Sequence, residues 1–202
     1  MKLPSQVALV RPALSMTVFL TLVTGLMYPA LVTAVAKSVF PAQAAGSLER
    51  IDGRIAGSTL IGRAYTEAGE FWGRPSSTPG GPYNAAASSG SNLGPTNPAL
   101  AQAVHDRVRA LRESDPGNES PIPVDLVTSS ASGLDPDISP AAAHFQVRRV
   151  ARATRQSEAS LHRLVDQTVV PRLAGVLGEP HVNVAALNQA LRRMSARAAH
   201  EE

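Results

Sequence analysis

From Pro12 to Ala36 the chain carries no charged residue, and within that stretch ALSMTVFLTLVTGLMYPALVTAVA is apolar almost throughout. With a helical rise of about 1.5 Å per residue, about 24 residues reach roughly 36 Å, enough to cross a hydrocarbon core ~30 Å thick with some tilt. Arg11 bounds the stretch on one side and Lys37 on the other. The expectation is a single N-terminal transmembrane helix plus one α+β extracytoplasmic domain. Residues 1–12 form a short cytoplasmic N-terminus, 13–36 the span and 45–202 the domain.

Charge placement orients this arrangement. Lys2, Arg11 and Lys37 are the only charged residues before Glu49, and they account for the whole net charge of +3. The 16 acidic residues all lie at or beyond Glu49, matched there by an equal number of arginines. Two cations precede the span and one follows it, so the bias of positive charge toward the cytoplasm sends the domain outside, from a cell (inner) membrane. A cleavable leader is the rival reading, because Ala42-Gln43-Ala44 fits a small-x-small cleavage pattern. A leader's apolar core runs about 7–15 residues, however, and this one is far longer. The formally neutral domain lacks the surplus of basic charge that nucleic-acid binding requires. The chain contains no cysteine, which suits an oxidising exterior with no disulfide staple.

Beyond the span, Ser47 to Gly57 reads as a hairpin turning at Asp52-Gly53, with Ser58 to Gly62 extending the sheet. Phe71 to Pro98 is rich in Gly, Pro, Ser and Asn and has no helical period. A loop of that length is disordered or functional, and the interspersed Phe71, Trp72 and Tyr83 point to an ordered, docked one. Asn97-Pro98 caps a helix carrying Leu100, Val104, Val108 and Leu111 on one face. Val124 to Thr128 reads as a strand. Ser139-Pro140 caps a second helix, Ser157 a third and Asn183 a last one, with His181 and Val182 extended before it.

Catalytic signatures are missing from the sequence. The only lysines are Lys2 and Lys37, which rules out a phosphate-binding loop in the domain, since that loop needs a lysine. Neither a dinucleotide fingerprint nor a serine nucleophile elbow occurs. His105, His144, His162, His181 and His200 are scattered without metal-ligand spacing, and Asp135-Pro136-Asp137 reads as a kinked loop closing onto Ser139. No catalytic residue and no metal ligand is assigned. Arg148, Arg152 and Arg155 fall at i, i+4 and i+7, beside Arg149. They form either a solvated basic face or a dock for an acidic partner or phosphate. Asn84, Ser88, Ser89, Gly90, Ser91, Asn92 and Asn97 supply short polar side chains on permissive backbone. They are candidates for close contact with another surface, or simply turn formers.

Several long motifs carry a resemblance. RPALSMTVFLTLVTGLMYP, IDGRIAGSTLIGRAY, FWGRPSS, YNAAASSGSNLGPTNPAL, DLVTSSASGLDPDISPAAAHFQVRRVA and GEPHVNVAALNQAL together cover nearly the whole chain. They resemble the C subunit of the Kdp-type potassium-transporting P-type ATPase. The resemblance implies an accessory subunit, not an enzyme by itself, in a high-affinity ATP-driven potassium uptake complex. Its partners would be a channel-like potassium-translocating subunit, an ATP-hydrolysing P-type subunit and a small single-span subunit, in the membrane. It also implies a catalytic-chaperone role that raises the ATP affinity of the hydrolysing subunit. No cofactor is held tightly, and ATP is met in complex with that subunit. The D-K-T-G phosphorylation motif of the pump is absent.

Two positions depart from the family pattern. Ser89 stands where a glycine is usual, adding a Cβ where φ > 0 is a possible need, and Arg63 stands where a glutamine is usual. Both weaken direct nucleotide contact through the Ser88–Asn92 loop, which is the alternative reading. The expected topology also opposes it, because ATP is scarce outside the cell. A secreted binding module is a distant third reading.

Overall fold

The computed structural model describes residues 6–51 and 53–201, which fall into two compact units divided after Leu48. In the first unit, α1 (Gln6–Leu22), one π-helical turn (Val23–Met27) and α2 (Tyr28–Val39) form a continuous helix. Leu9–Val39 is long and apolar enough to cross a membrane, and its side chains point outward with none buried. The π turn has a cause in the sequence. Pro29 has no N–H to give the Gly25 carbonyl, so the helix widens and the Tyr28 N–H reaches back to Val23 O. Thr24 Oγ1 donates to Leu20 O at 2.7 Å beside it. A short helix α3 (Pro41–Ala44) follows.

The second unit begins with a two-stranded sheet, β1 (Leu48–Ile51) and β2 (Arg54–Ser58). Gly53 takes φ +77° at the turn, while its predicted partner Asp52 lies outside the described residues. The sheet does not continue to Gly62: the chain turns at Ser58, whose carbonyl accepts from Ile61 N and whose hydroxyl accepts from Leu60 N.

Four helices follow: α4 (Pro98–Ser114), α5 (Pro140–Thr154), α6 (Glu158–Thr168) and α7 (Val184–Glu201). Each predicted cap holds the first turn of its helix. Asn97 accepts from Ala99 N at 2.9 Å, Ser139 from Ala142 N at 3.1 Å, Ser157 from Ser160 N at 3.2 Å and Asn183 from Ala186 N at 3.0 Å. Between α5 and its neighbours lies the core, built from Val147 and Val150 of α5, Leu161 and Val165 of α6, and Leu187 and Leu191 of α7. A second sheet of two residues a side pairs β3 (Asp137–Ile138) antiparallel with β4 (Val182–Asn183), burying Ile138 and Val182 against those helices.

Val124 to Thr128 is not a strand. Val124–Leu126 forms a 3₁₀ turn, and Leu126 and Val127 are both buried while Val124 is 70% exposed, which is incompatible with strand alternation. Asp125 fixes the turn by accepting from the backbone N–H (2.7 Å) and the hydroxyl (3.2 Å) of Ser139. Thr128 adds a hydrogen bond to Val124 O.

Candidate functional site

The segment from Phe71 to Asn97 contains no regular element, yet it is ordered by side chains reaching in from α5 and α7. Phe71 is fully buried, and Asn188 brackets it: the amide oxygen accepts from Phe71 N at 2.8 Å and the amide nitrogen donates to Phe71 O at 2.9 Å. Gln146 does the same for Trp72, at 2.7 and 3.0 Å. Two primary amides thus take the place of a neighbouring strand for a loop that has none. Arg149 completes the grip. Its guanidinium donates to the carbonyls of Ala68 (2.6 Å) and Glu70 (2.9 Å) and lies 3.8 Å from the centre of the Trp72 ring. Burial lowers its pKa to about 10, so it remains charged at neutral pH while stacked on the indole.

Further along, the loop packs against residues 129–135. Ser76 donates to Gly133 O at 2.7 Å and accepts from Tyr83 N at 2.8 Å, and the Tyr83 hydroxyl donates to Arg74 O at 2.6 Å. Arg74 pairs with Asp135 at 3.1 Å. Gly62 is wedged between these pieces: a Cβ there would fall 2.2 Å from the Tyr83 ring and 2.6 Å from Asp135 O. A cleft of about 380 Å³ opens beside it, lined by Ser58, Gly62, Arg63, Tyr65, Tyr83 and Ala185. Burial, with Asp135 second, raises the Tyr83 hydroxyl to about 12. Arg63 does not project freely into this cleft. It donates to Ala56 O (3.2 Å) and the Tyr65 hydroxyl (3.0 Å) and lies 4.6 Å from the Tyr65 ring centre.

The predicted contact residues divide into two groups, and no hydrogen bond or ion pair joins them among the described residues. Asn84 closes a turn, donating to Pro79 O and accepting from Ala86 N. Ser88 donates to Ser132 O at 3.0 Å, and Ser89 N donates to the same carbonyl. Gly90 lies where a Cβ would meet Ala131 O at 2.8 Å. The left-handed residue of this run is Asn92 (φ +51°), not Ser89, so the serine's Cβ meets no backbone objection there. Ser91 and Asn92 are exposed, and Asn97 serves as the α4 cap.

Arg148 and Arg152 form the second group, and they clamp the end of α4. Asp115 is 3% exposed and receives Arg152 at 2.5 Å, with Arg148 Nε at 3.8 Å. Arg148 also donates to the carbonyls of Pro116 and Gly117. Arg155 ends α5 in the left-handed conformation, φ +57°. Arg148 and Arg152 are thus paired at the end of α4 while about half exposed, and Arg155 is exposed.

One cluster has no counterpart in the sequence reading. His144 Nδ1 and His162 Nδ1 lie 2.8 Å apart with their rings stacked, and His144 Nε2 sits 3.0 Å from Asp166. The i, i+4 spacing of His162 and Asp166 was its only linear trace. Among the described residues, no three histidine, aspartate or glutamate side chains converge as a metal-binding set.

The fold and the loop together define a class: a helix fit to span a membrane, attached to a mixed helix-and-sheet domain in which Asn188, Gln146 and Arg149 hold a long loop in place. Comparison with known proteins is specific. A family described as KdpC: K+-transporting ATPase, c chain matches residues 10–193, and the chain belongs to that family. Relatives carrying the name potassium-transporting ATPase KdpC subunit include one from Sorangium cellulosum, 60% identical over 181 residues, covering 90% of this chain and 95% of the relative. One from Variovorax paradoxus is 57% identical over 182 residues (90% and 94%), and one from Ralstonia nicotianae is 55% identical over 188 residues (93% and 92%). The chain is a subunit of the potassium-transporting ATPase complex.

Proposed function

We propose that the chain is a non-pumping accessory subunit, anchored by its apolar helix with the N-terminus in the cytoplasm and the domain outside. There it stabilises the assembly of a channel-like potassium-translocating subunit, an ATP-hydrolysing subunit and a small single-span subunit. Through that assembly it supports the hydrolysing subunit and raises its affinity for ATP. The observation that carries the reading is the use of polar groups within the domain. Asn188, Gln146, Arg149 and the Arg148–Asp115–Arg152 clamp are committed to internal backbone and carboxylate partners. The first three hold a long recognition-type loop and the clamp holds the end of α4; none of them belongs to a constellation of reacting groups.

The exposure of Ser88, Ser91 and Asn92 supports a second reading, in which the Ser88–Asn92 loop touches ATP directly. That reading needs the domain on the cytoplasmic side. Deleting the chain from cells that carry the rest of the complex tests the first reading. The expected result is loss of potassium uptake at micromolar potassium, together with loss of the intact complex on purification. Normal uptake and assembly without it would overturn the reading. Photolabelling of the complex with an azido-ATP separates the second: a label on residues 88–92 is its required result.

A further inference from the structure

Between α6 and β4 the chain makes a stalk that belongs to no core. Two antiparallel bridges hold it, Val170 with His181 and Leu173 with Leu177, through backbone hydrogen bonds of 2.8–3.1 Å. Arg172 pairs with Glu179 across the neck at 2.6 Å. The tip turns through Ala174 (φ +52°) and Gly175 (φ +77°). Ala174 gains no side-chain hydrogen bond in return for that left-handed conformation, so the neighbouring bridges must hold it there.

The tip is apolar and outward-facing. Leu173 and Val176 are each 73% exposed and Leu177 63%, with Val170 below them also exposed. Beyond Glu49, the other exposed large apolar side chains among the described residues are Ile55, Leu60 and Val124. The stalk's base, Glu179 to His181, joins Val124 and Asp125 in lining a cleft of about 450 Å³. An apolar tip above the charged Arg172–Glu179 pair of its neck has the anatomy of an interface anchor and its rim.

We propose that the Leu173–Leu177 tip inserts into an apolar groove on another protein subunit of the same transport complex. The inference rests on reading the chain as an accessory subunit of that complex. Chemistry selects a protein groove over a lipid surface. Residues 169–181 have no Lys, Trp, Tyr or Phe. The stalk's one arginine is already paired with Glu179. Surface attachment to membranes draws on free cations and interfacial aromatics. Area selects a subunit tethered nearby over a second copy docking by the tip alone, since three side chains fall well short of the ~800 Å² per partner that a stable stand-alone interface takes. A span on the same chain raises the effective concentration of such a small contact. The braced stem leaves little ordering entropy to lose on insertion.

The test places a benzophenone amino acid at Val176 in the full-length chain, co-expressed with the other subunits. Ultraviolet crosslinking to another subunit of the complex is the expected result. The paired changes Leu173→Asp and Leu177→Asp should cut that crosslink and the co-purified complex about tenfold or more. The solubilised variant should keep the Trp72 unfolding transition of the parent. A chain that co-purifies with the complex but crosslinks at 176 only to lipid, to a second copy or to nothing overturns the inference and leaves the accessory role standing. A parent chain that does not co-purify at all removes both.

Discussion

Replacing Asn188 by alanine removes the two hydrogen bonds that bracket Phe71. Phe71 N and O then lose partners in a site where the Phe71 side chain is fully buried and Asn188 itself is 2% exposed. Each buried backbone group left unpaired costs about 1–3 kcal/mol. Partial relaxation onto water offsets some of the second loss, so the expected destabilisation is about 3 kcal/mol. For a domain of this size that corresponds to a fall of roughly 6–12 °C in Tm. The assay is urea unfolding of the detergent-solubilised chain followed by tryptophan emission. Trp72 is the single tryptophan and adjoins the perturbed residue. Its indole N–H donates to Glu67 O at 2.9 Å and its ring lies under Arg149, so emission also reports whether the loop has detached. Gln146→Ala should behave alike, and the double variant should lose less than the sum, because both amides hold one segment. A loss below about 1 kcal/mol for Asn188→Ala, with unchanged emission, would show that the loop does not depend on this clamp.

Three further outcomes follow from the same geometry. Gly62→Ala drives a Cβ into the Tyr83 ring and the Asp135 carbonyl, and calorimetry should register a loss of about 1–3 kcal/mol or a displaced Tyr83. The folded-state pKa of Tyr83 is raised above its unfolded value of about 10, to about 12. Its contribution to stability is therefore complete below pH 10 and lost as pH rises from 10 to 12. Alkaline unfolding curves should show this loss, and Tyr83→Phe should flatten it. Asp115→Ala strands Arg148 and Arg152 at the end of α4, and because both arginines are half exposed the expected cost is about 2 kcal/mol. A thermal melt equal to that of the parent would refute the clamp.

What the sequence made legible was local. Asn97, Ser139, Ser157 and Asn183 act on backbone within three residues, so each cap was visible as a cap. The long apolar helix was readable because an uncharged run of that length is a local feature of the sequence. The docked state of the loop was suggested by Phe71 and Trp72, but the means of docking was not, because Asn188 stands 117 residues from Phe71. Arg149 looked like one more cation beside a stripe, and only the burial of α5 separates it from Arg148 and Arg152. Val124 to Thr128 had the composition of a strand, and Asp125 bonding forward to Ser139 turned it into a 3₁₀ turn. The His144–His162 contact needed two helices packed together before it existed.

The central claim is that a membrane-anchored subunit holds its recognition loop outside the cell, and a thiol placed on that loop tests it directly. The chain contains no cysteine and Ser91 is exposed, so Ser91→Cys gives one accessible thiol. Treating intact cells that express the complex with a membrane-impermeant maleimide should label this position to the same extent as treating lysed cells. Labelling that appears only after lysis would place the loop in the cytoplasm and contradict the account.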